Sequence, residues 1–100
     1  MIKVKITYLD KKFSSLSVKG HANSDVYGKD TVCAAVSAVV TGGLNALDDI
    51  RKYDYTFEEG NIYLAAKENI SNHDEIVIET IVTGLKTIEE SYPKFIKIEQ

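Results

Sequence analysis

The chain has one cysteine and two histidines, and the cysteine lies close in sequence to one of the histidines. A short polar segment separates His21 from Cys33, and Cys33 lies near the start of a run of small and branched apolar residues that is typical of a buried helix. The thiolate is the nucleophile of cysteine enzymes, and a neighbouring imidazole can activate it and later protonate a leaving amine. The pair therefore predicts nucleophilic chemistry near the start of a helix.

The position of Cys33 in that helix bears on the pKa of its thiol. Asp30 is a favourable N-cap, which would make Cys33 the third helical residue, close to the positive end of the helix dipole. A free thiol has a pKa of about 8.5, and lowering it to about 7 requires roughly 2 kcal/mol, whereas an exposed helix end supplies about 0.3–1 kcal/mol. The remainder must come from a cation, and a protonated His21 is the obvious source. The backbone amide of Cys33, free at such a helix end, would also be a donor to an oxyanion.

Each of these residues also has a purely structural interpretation. Free cysteine is among the most buried residue types and often serves as a small hydrophobe. A histidine at the end of a strand is often only a satisfied polar residue. Ser37 lies one turn after Cys33 on the same face, but its hydroxyl can also bond to a backbone carbonyl one turn back. Asp30 could cap the helix, orient the imidazole, or do both.

A set of fixed positions around the pair resembles the signature of the bacterial ribosomal processing cysteine protease family. The matching residues are Gly20-His21-Ala22, Tyr27-Gly28, Asp30 and Val32-Cys33-Ala34-Ala35-Val36-Ser37. The resemblance extends over essentially the whole chain in length and in order of elements. It implies that His21 and Cys33 form the catalytic dyad, and that Asp30 and Ser37 are supporting residues.

The resemblance also implies a function and a setting. It implies a cytoplasmic cysteine endopeptidase that removes a short N-terminal extension from a large-subunit ribosomal protein, number twenty-seven in bacteria, after a pair of phenylalanines. The expected intermediate is a thioester, no cofactor is required, and the family suggests a homodimer. Direct contact with nucleic acid or a membrane is not expected.

The segment 22–29 has no apolar periodicity, which predicts a surface loop. Gly28 gives this loop freedom to move, and only Val26 and Tyr27 could anchor it. We expect the loop to be mobile without substrate and to cover a bound peptide, with Asn23, Tyr27 and Gly28 in the substrate-binding loop. The alternative is that Val26 and Tyr27 already dock on the sheet.

Length, composition and charge limit the fold classes and partners that are compatible with this sequence. One hundred residues predict a single domain, 1–100, and the 44% apolar and 27% charged residues are typical of a globular protein. One cysteine excludes an internal disulfide and fits a reducing cytosol. The net charge of −3 argues against general nucleic-acid binding but suits a basic partner. No apolar run approaches the length of a membrane span, and the first ten residues do not form a signal peptide.

Three other classes compete with a protease. A redox enzyme or thiolate phosphatase needs an arginine beside the sulfur, but the only arginine, Arg51, follows the far end of the predicted helix. A zinc site would need several carboxylates beside one cysteine and two distant histidines, and His73 is interpreted as solvated. The third class, a non-catalytic ribosomal-protein-binding domain, would leave Cys33 and His21 structural.

The elements that must position these residues follow from hydrophobic periodicity. Alternating strands flank a turn at Asp10, and the first strand buries every second residue up to Tyr8. A helix is predicted over 31–49, with Gly42 and Gly43 allowing close approach of the sheet or of a second subunit. A second hairpin turns at 59–61, a helix capped by Ser71 or Asn72 stops before Pro93, and a last strand covers 95–98. The order ββαββαβ predicts a two-layer α+β fold, with a mainly antiparallel sheet packed against two helices.

Overall fold

The computed structural model of the protein describes the backbone of residues 1–20 and 29–100, and the side chains of residues 1–20 and 31–100. The described elements have the predicted order ββαββαβ, with a short 3-10 turn at Ile50–Lys52. They are β1 (Ile2–Leu9), β2 (Lys12–Lys19), α1 (Lys29–Leu44), β3 (Tyr53–Glu58), β4 (Asn61–Ala66), α2 (Asn72–Ser91) and β5 (Ile96–Glu99). Among these residues, no helix combines the length and the hydropathy that a membrane crossing requires.

The five strands form one sheet in the order β3-β4-β2-β1-β5. The pairs β1–β2, β2–β4 and β3–β4 are antiparallel, and only β5 runs parallel to its neighbour β1. The predicted α+β fold with a mainly antiparallel sheet is therefore confirmed. The parallel pair sets Ile2 beside Ile96, and the amide of Ile2 donates to the carbonyl of Phe95 at 2.9 Å.

The first hairpin shows both a success and a failure of the alternation pattern. Asp10 and Lys11 both have positive φ, 51° and 66°, which is the geometry of a tight turn that matches the twist of the two strands. The β1–β2 register shifts between Thr7 and Tyr8, as at a β-bulge. Beyond this shift Tyr8 is 47% exposed, so its predicted burial is wrong, whereas Ile6 is buried.

Both helices contribute to a single hydrophobic cluster with the sheet. The buried stripe of α2 follows the predicted helical spacing and consists of Ile78, Ile81, Val82 and Leu85. Ser71 is its N-cap, and the serine hydroxyl accepts from the amide of Asp74 at 3.1 Å. The predicted stripe is too long by one position, because Tyr92 is exposed beyond the end of the helix.

The predicted end of α1 at 49 is wrong, and the described part of the helix starts two residues before the predicted start at 31. The helix ends at Leu44 because the amides of Ala46 and Leu47 form tighter i→i+3 bonds, and the amide of Asp48 donates to the Asp74 carboxylate at 3.0 Å. The described part of the helix starts at Lys29, so the backbone of Asp30 is helical and is not the N-cap. The side chain of Asp30 lies outside the described residues.

The two helices approach each other closely at a glycine. A Cβ on Gly43 would overlap the side chain of Ile81 on α2, whereas a Cβ on Gly42 would meet no atom within 4 Å. Gly43 therefore allows a close approach of α2, a neighbour that the prediction of the sheet or a second subunit did not name. A glycine is needed only at the second of the two positions.

Candidate active site

Cys33 lines a groove of about 410 Å³ between α1 and the β3–β4 hairpin. Helix α1 supplies Cys33, Val36, Ser37 and Thr41, and the hairpin supplies residues 57–62. The remaining lining residues are Ile2, Val18 and Gly20. The groove therefore joins the thiol to apolar surface and to the polar turn of a hairpin distant in sequence.

Cys33 is a free, half-buried thiol that packs against the hydrophobic cluster. The described part of α1 starts at Lys29, which places Cys33 at least five residues into the helix and not at its third position. An α-helix with that start pairs the amide of Cys33 with the carbonyl of Lys29, so the expectation of a free amide for an oxyanion is wrong.

The spacing between Cys33 and Ser37 has the expected geometric result, because both residues line the groove. Gly20, the residue before His21, lines the same groove. Its φ is +119°, its amide donates to the carbonyl of Gly60 at 3.0 Å, and a Cβ there would overlap the carbonyl of Met1. Only glycine fits this corner of the chain.

Most of the other predicted site residues lie outside the described residues. They are His21, Asn23, Tyr27 and Gly28, together with the rest of the loop 22–28 and the side chain of Asp30. The dyad and the substrate-binding loop therefore stay predictions.

The hairpin side of the groove was not anticipated from the sequence. Phe57 is 48% exposed and packs on Tyr55, with ring centroids 4.9 Å apart and an interplanar angle of 33°. Glu58 and Glu59 are exposed at the turn, and the buried Oδ1 of Asn61 has no hydrogen-bond partner among the described residues. A signal was present in the aromatic residues Tyr53, Tyr55 and Phe57 of β3, but their alternation by itself predicts only a strand.

A second polar cluster lies at the start of α2, built around the buried carboxylate of Asp74. One of its oxygens accepts from the amide of Asp48 at 3.0 Å, and the other accepts from the hydroxyl of Tyr53 at 2.6 Å. Burial of Tyr53, and then its bond to Asp74, raise the pKa of the Tyr53 hydroxyl. These bonds tie the chain after α1 and the start of β3 to α2.

His73 completes this cluster. Its Nε2 donates to the carbonyl of Ala46 at 2.8 Å and lies 3.6 Å from the Asp48 carboxylate. The bond to Ala46, and then the negative charge of Asp48, raise the pKa of His73. The interpretation of His73 as merely solvated is therefore corrected, although its ring is exposed. Asp48, His73 and Asp74 each offer one atom that could bind a metal ion, and these three atoms lie within 4.8 Å of one another. The hydrogen bonds described above account for their closeness.

Comparison with known proteins gives the family. A family model described as cysteine protease Prp matches residues 1–97. The chain belongs to this family. The ribosomal processing cysteine protease Prp of Staphylococcus aureus strain Mu50 is 33% identical over 103 residues, covering 98% of this chain and 97% of that protein.

Two solved structures of the S. aureus protease agree with the fold of the described residues. One, in complex with a covalently linked product peptide, has a TM-score of 0.84 and 31% identity, and covers 99% of this chain and 98% of that one. The other, in complex with a substrate peptide, has a TM-score of 0.81 and 29% identity, with the same coverage. As a member of this family, the chain is a cysteine endopeptidase, which decides against a non-catalytic binding domain and against the redox and phosphatase classes.

Proposed function

We propose that the chain removes an N-terminal extension from a large-subunit ribosomal protein, with Cys33 as the nucleophile and His21 as its acid–base partner. The single observation that carries this proposal is the free, half-buried thiol of Cys33 in an open groove, in a chain of this protease family. The relatives named as ribosomal processing proteases, one of them solved with a substrate peptide, support the class of substrate.

The proposed reaction has two steps. The Cys33 thiolate attacks the scissile carbonyl, and the tetrahedral intermediate collapses to a thioester while the protonated His21 gives its proton to the leaving amine. Water, deprotonated by the same imidazole, then hydrolyses the thioester and restores the thiol. The position of Gly20 in the groove supports this pairing, because His21 follows it directly in the chain.

Three further assignments belong to this proposal. Because the backbone of Asp30 lies within the helix and not at its N-cap, we assign its carboxylate to orientation of the His21 imidazole and not to capping. Ser37 lines the groove beside Cys33, and this position favours an auxiliary role for its hydroxyl. Asn23, Tyr27 and Gly28 form the loop that covers the bound peptide. Residues 1–100 act as one catalytic domain, since the described helices and sheet share one hydrophobic cluster.

We also propose that the chain works in the cytoplasm as a homodimer. A groove of about 450 Å³ between the outer faces of α1 and α2 is lined by Val39, Gly43, Ala46, His73, Ile76, Val77, Thr80, Ile81 and Gly84. Among the described residues, its lining contains no carboxylate, lysine or arginine, and Ile76 is 63% exposed. A two-fold interface brings the same patch of both copies together, so a mainly apolar patch whose one ionisable side chain among the described residues is His73 suits a second copy. Light scattering on the wild type and on Ile76→Glu tests this, and a monomeric wild type would contradict it.

The function is tested with a peptide that spans the end of the ribosomal protein's N-terminal extension, with products identified by mass spectrometry. The wild type should cut once, and Cys33→Ala should lower the rate by at least about a thousandfold without changing the fold. Cys33→Ser should be nearly as inactive. An uncut peptide with the wild type, or substantial cleavage by Cys33→Ala, would contradict the assignment.

The dyad is tested separately by alkylation of the thiol. His21→Ala should slow the reaction of Cys33 with iodoacetamide at about pH 7, because the imidazolium supplies much of the thiolate stabilisation. Alkylation rates that do not differ between the wild type and His21→Ala would show that the two side chains do not interact.

A further inference from the structure

The outer face of the sheet, opposite the hydrophobic cluster, carries three lysines side by side on three neighbouring strands. Ile2 and Val4 of β1 belong to the cluster, so the side chain of Lys3 between them points to the other face. Lys3 is aligned with Lys19 of β2 on one side and with Lys97 of β5 on the other, and all three are exposed. We call these three residues the lysine row.

The lysine row concentrates positive charge that the fold itself does not neutralise. Neighbouring strands lie about 4.8 Å apart, so the row spans about 10 Å, close to the Debye length of about 8 Å at physiological salt, and the three charges act together. Among the described residues, the ion pairs include none of these lysines. Glu99 is aligned with Lys5, beside the row and not in it. Like charges directly opposite each other destabilise a sheet, so the row does not serve the stability of the fold.

The total charge of the chain conceals this row. The net charge is −3, and the expectation of no contact with nucleic acid depends in part on that value. The lysines of the row lie near both ends of the described chain, and the pairing of β1 with β2 and β5 brings them together. A charged partner responds to the local field at a surface more than to the sum over the molecule. The row therefore favours a partner with repeated negative charge.

An aromatic side chain lies on the same face as the lysine row. Tyr63 of β4 is 39% exposed and is aligned with Ser17 of β2, which is aligned with Lys5 of β1. An exposed ring beside basic side chains on an open sheet is the combination with which proteins hold single-stranded nucleic acid, because cations contact the phosphates and bases stack on the ring.

We propose that the lysine row and Tyr63 form a surface that binds single-stranded RNA through its phosphodiester backbone, without sequence preference. This inference goes beyond the proposed function, and only the choice of RNA rests on it, because a large-subunit ribosomal protein is assembled onto ribosomal RNA. A basic ribosomal protein would itself be repelled by the lysine row, so the protein substrate does not suit this face.

The experiment measures the Kd of the wild-type chain for a labelled oligouridylate of about twelve nucleotides by fluorescence anisotropy at several salt concentrations. The test variant combines Lys3→Gln, Lys19→Gln and Lys97→Gln. The matched control variant makes the same change in net charge at three exposed lysines of the β1–β2 turn, of α2 and of the turn after α2, with the substitutions Lys11→Gln, Lys86→Gln and Lys94→Gln.

Loss of the lysine row should weaken binding at low salt at least about tenfold. It should also reduce the slope of log K against log salt by about 2, because each phosphate contact with a single strand contributes about 0.7. The control variant should stay within about threefold of the wild type. Tyr63→Leu should weaken binding at least about fivefold without changing the slope, since stacking releases no counterions.

Two further measurements separate RNA binding from folding and from cleavage. The variant without the lysine row should melt at the same temperature as the control variant or higher, because the repulsion between strands is removed. It should also cut a short peptide at close to the wild-type rate, because such a peptide brings no RNA. A lower melting temperature, or slower cleavage of the peptide, would overturn the proposal by giving these lysines a role in the fold or in peptide binding.

Other results would overturn the proposal as well. These are no binding of oligouridylate by the wild type, equal losses in the two triple variants, or tighter binding to single-stranded DNA, to duplex RNA of the same length or to phosphatidylserine vesicles. A change in molar mass on loss of the lysine row would instead make the face an interface between copies. The proposed function is judged separately, by whether the wild type cuts the peptide and whether that cut requires Cys33, and neither readout involves RNA.

Discussion

The start of α2 and the groove beside Cys33 differ in whether their buried polar atoms have hydrogen-bond partners. At α2, Ser71 caps the helix, and both oxygens of the buried Asp74 accept hydrogen bonds from within the protein. In the groove, the Oδ1 of Asn61 has no partner among the described residues, and Phe57 is about half exposed. Buried polar groups are normally satisfied, and exceptions cluster at functional sites. The first region holds the fold together, and the second leaves surface available to a peptide.

The largest expected effect on stability comes from removing the Asp74 carboxylate. Asp74→Ala leaves the buried Tyr53 hydroxyl and the Asp48 amide without their acceptors, and should lower the free energy of unfolding by about 2–4 kcal/mol. Urea denaturation measures this, with the exposed Asp54→Ala as the control within about 0.5 kcal/mol. The folded fraction should still cleave peptide at close to the normal rate. A loss of activity in fully folded Asp74→Ala would contradict a purely stabilising role for the start of α2, as opposed to the catalytic role proposed for the groove.

A smaller effect is expected where α1 meets α2. Gly43→Ala forces a methyl group against Ile81 and should destabilise by about 1–3 kcal/mol. Gly42→Ala is the matched control, because its methyl group meets no atom within 4 Å and the substitution should stabilise the helix by up to about 1 kcal/mol. Thermal melts of the two variants should therefore shift in opposite directions. Equal shifts would show that the helices separate easily enough to accept the methyl group.

The smallest effect concerns the pH dependence contributed by His73. The Ala46 carbonyl and the Asp48 carboxylate raise the pKa of His73 above its ordinary value of about 6.5. A histidine with a raised pKa in the folded state stabilises the fold fully below the unfolded value, and loses that contribution as the pH rises through the folded value. The stability difference between the wild type and His73→Gln should therefore be larger at about pH 5.5 than at about pH 8.5. Denaturation curves that show the reverse trend would contradict the described contacts of His73.

The order of elements could be predicted because it depends on local patterns. Alternating apolar residues marked β1, and helical spacing together with the Ser71 cap marked α2. The predicted burial of Tyr8 was wrong because a β-bulge reverses the alternation of faces there, and bulges leave little trace in a single sequence. The predicted end of α1 was wrong because the amide of Asp48 donates to the carboxylate of Asp74, a residue that is distant in sequence.

The candidate site was predictable to a smaller extent. The spacing of Cys33 and Ser37 within one helix correctly placed both residues in a common groove. The opposite wall, formed by Phe57 and the hairpin turn, depends on how the sheet packs beside α1, and no local pattern contains that information. The close contact of Gly43 with Ile81 is of the same kind, because it depends on how two helices cross.

The parallel pairing of β5 with β1 has a consequence for the order in which the groove is assembled. Ile2, which lines the groove, donates a hydrogen bond from its amide to the carbonyl of Phe95 and is aligned with Ile96. These contacts join residues from opposite ends of the described chain. Contacts between residues so far apart in sequence form late and slow down folding. During synthesis the hairpin β1–β2 and helix α1 emerge from the ribosome well before β5. We therefore expect the groove beside Cys33 to be completed only after β5 has emerged, so that a nascent chain carries the thiol before it carries the finished groove.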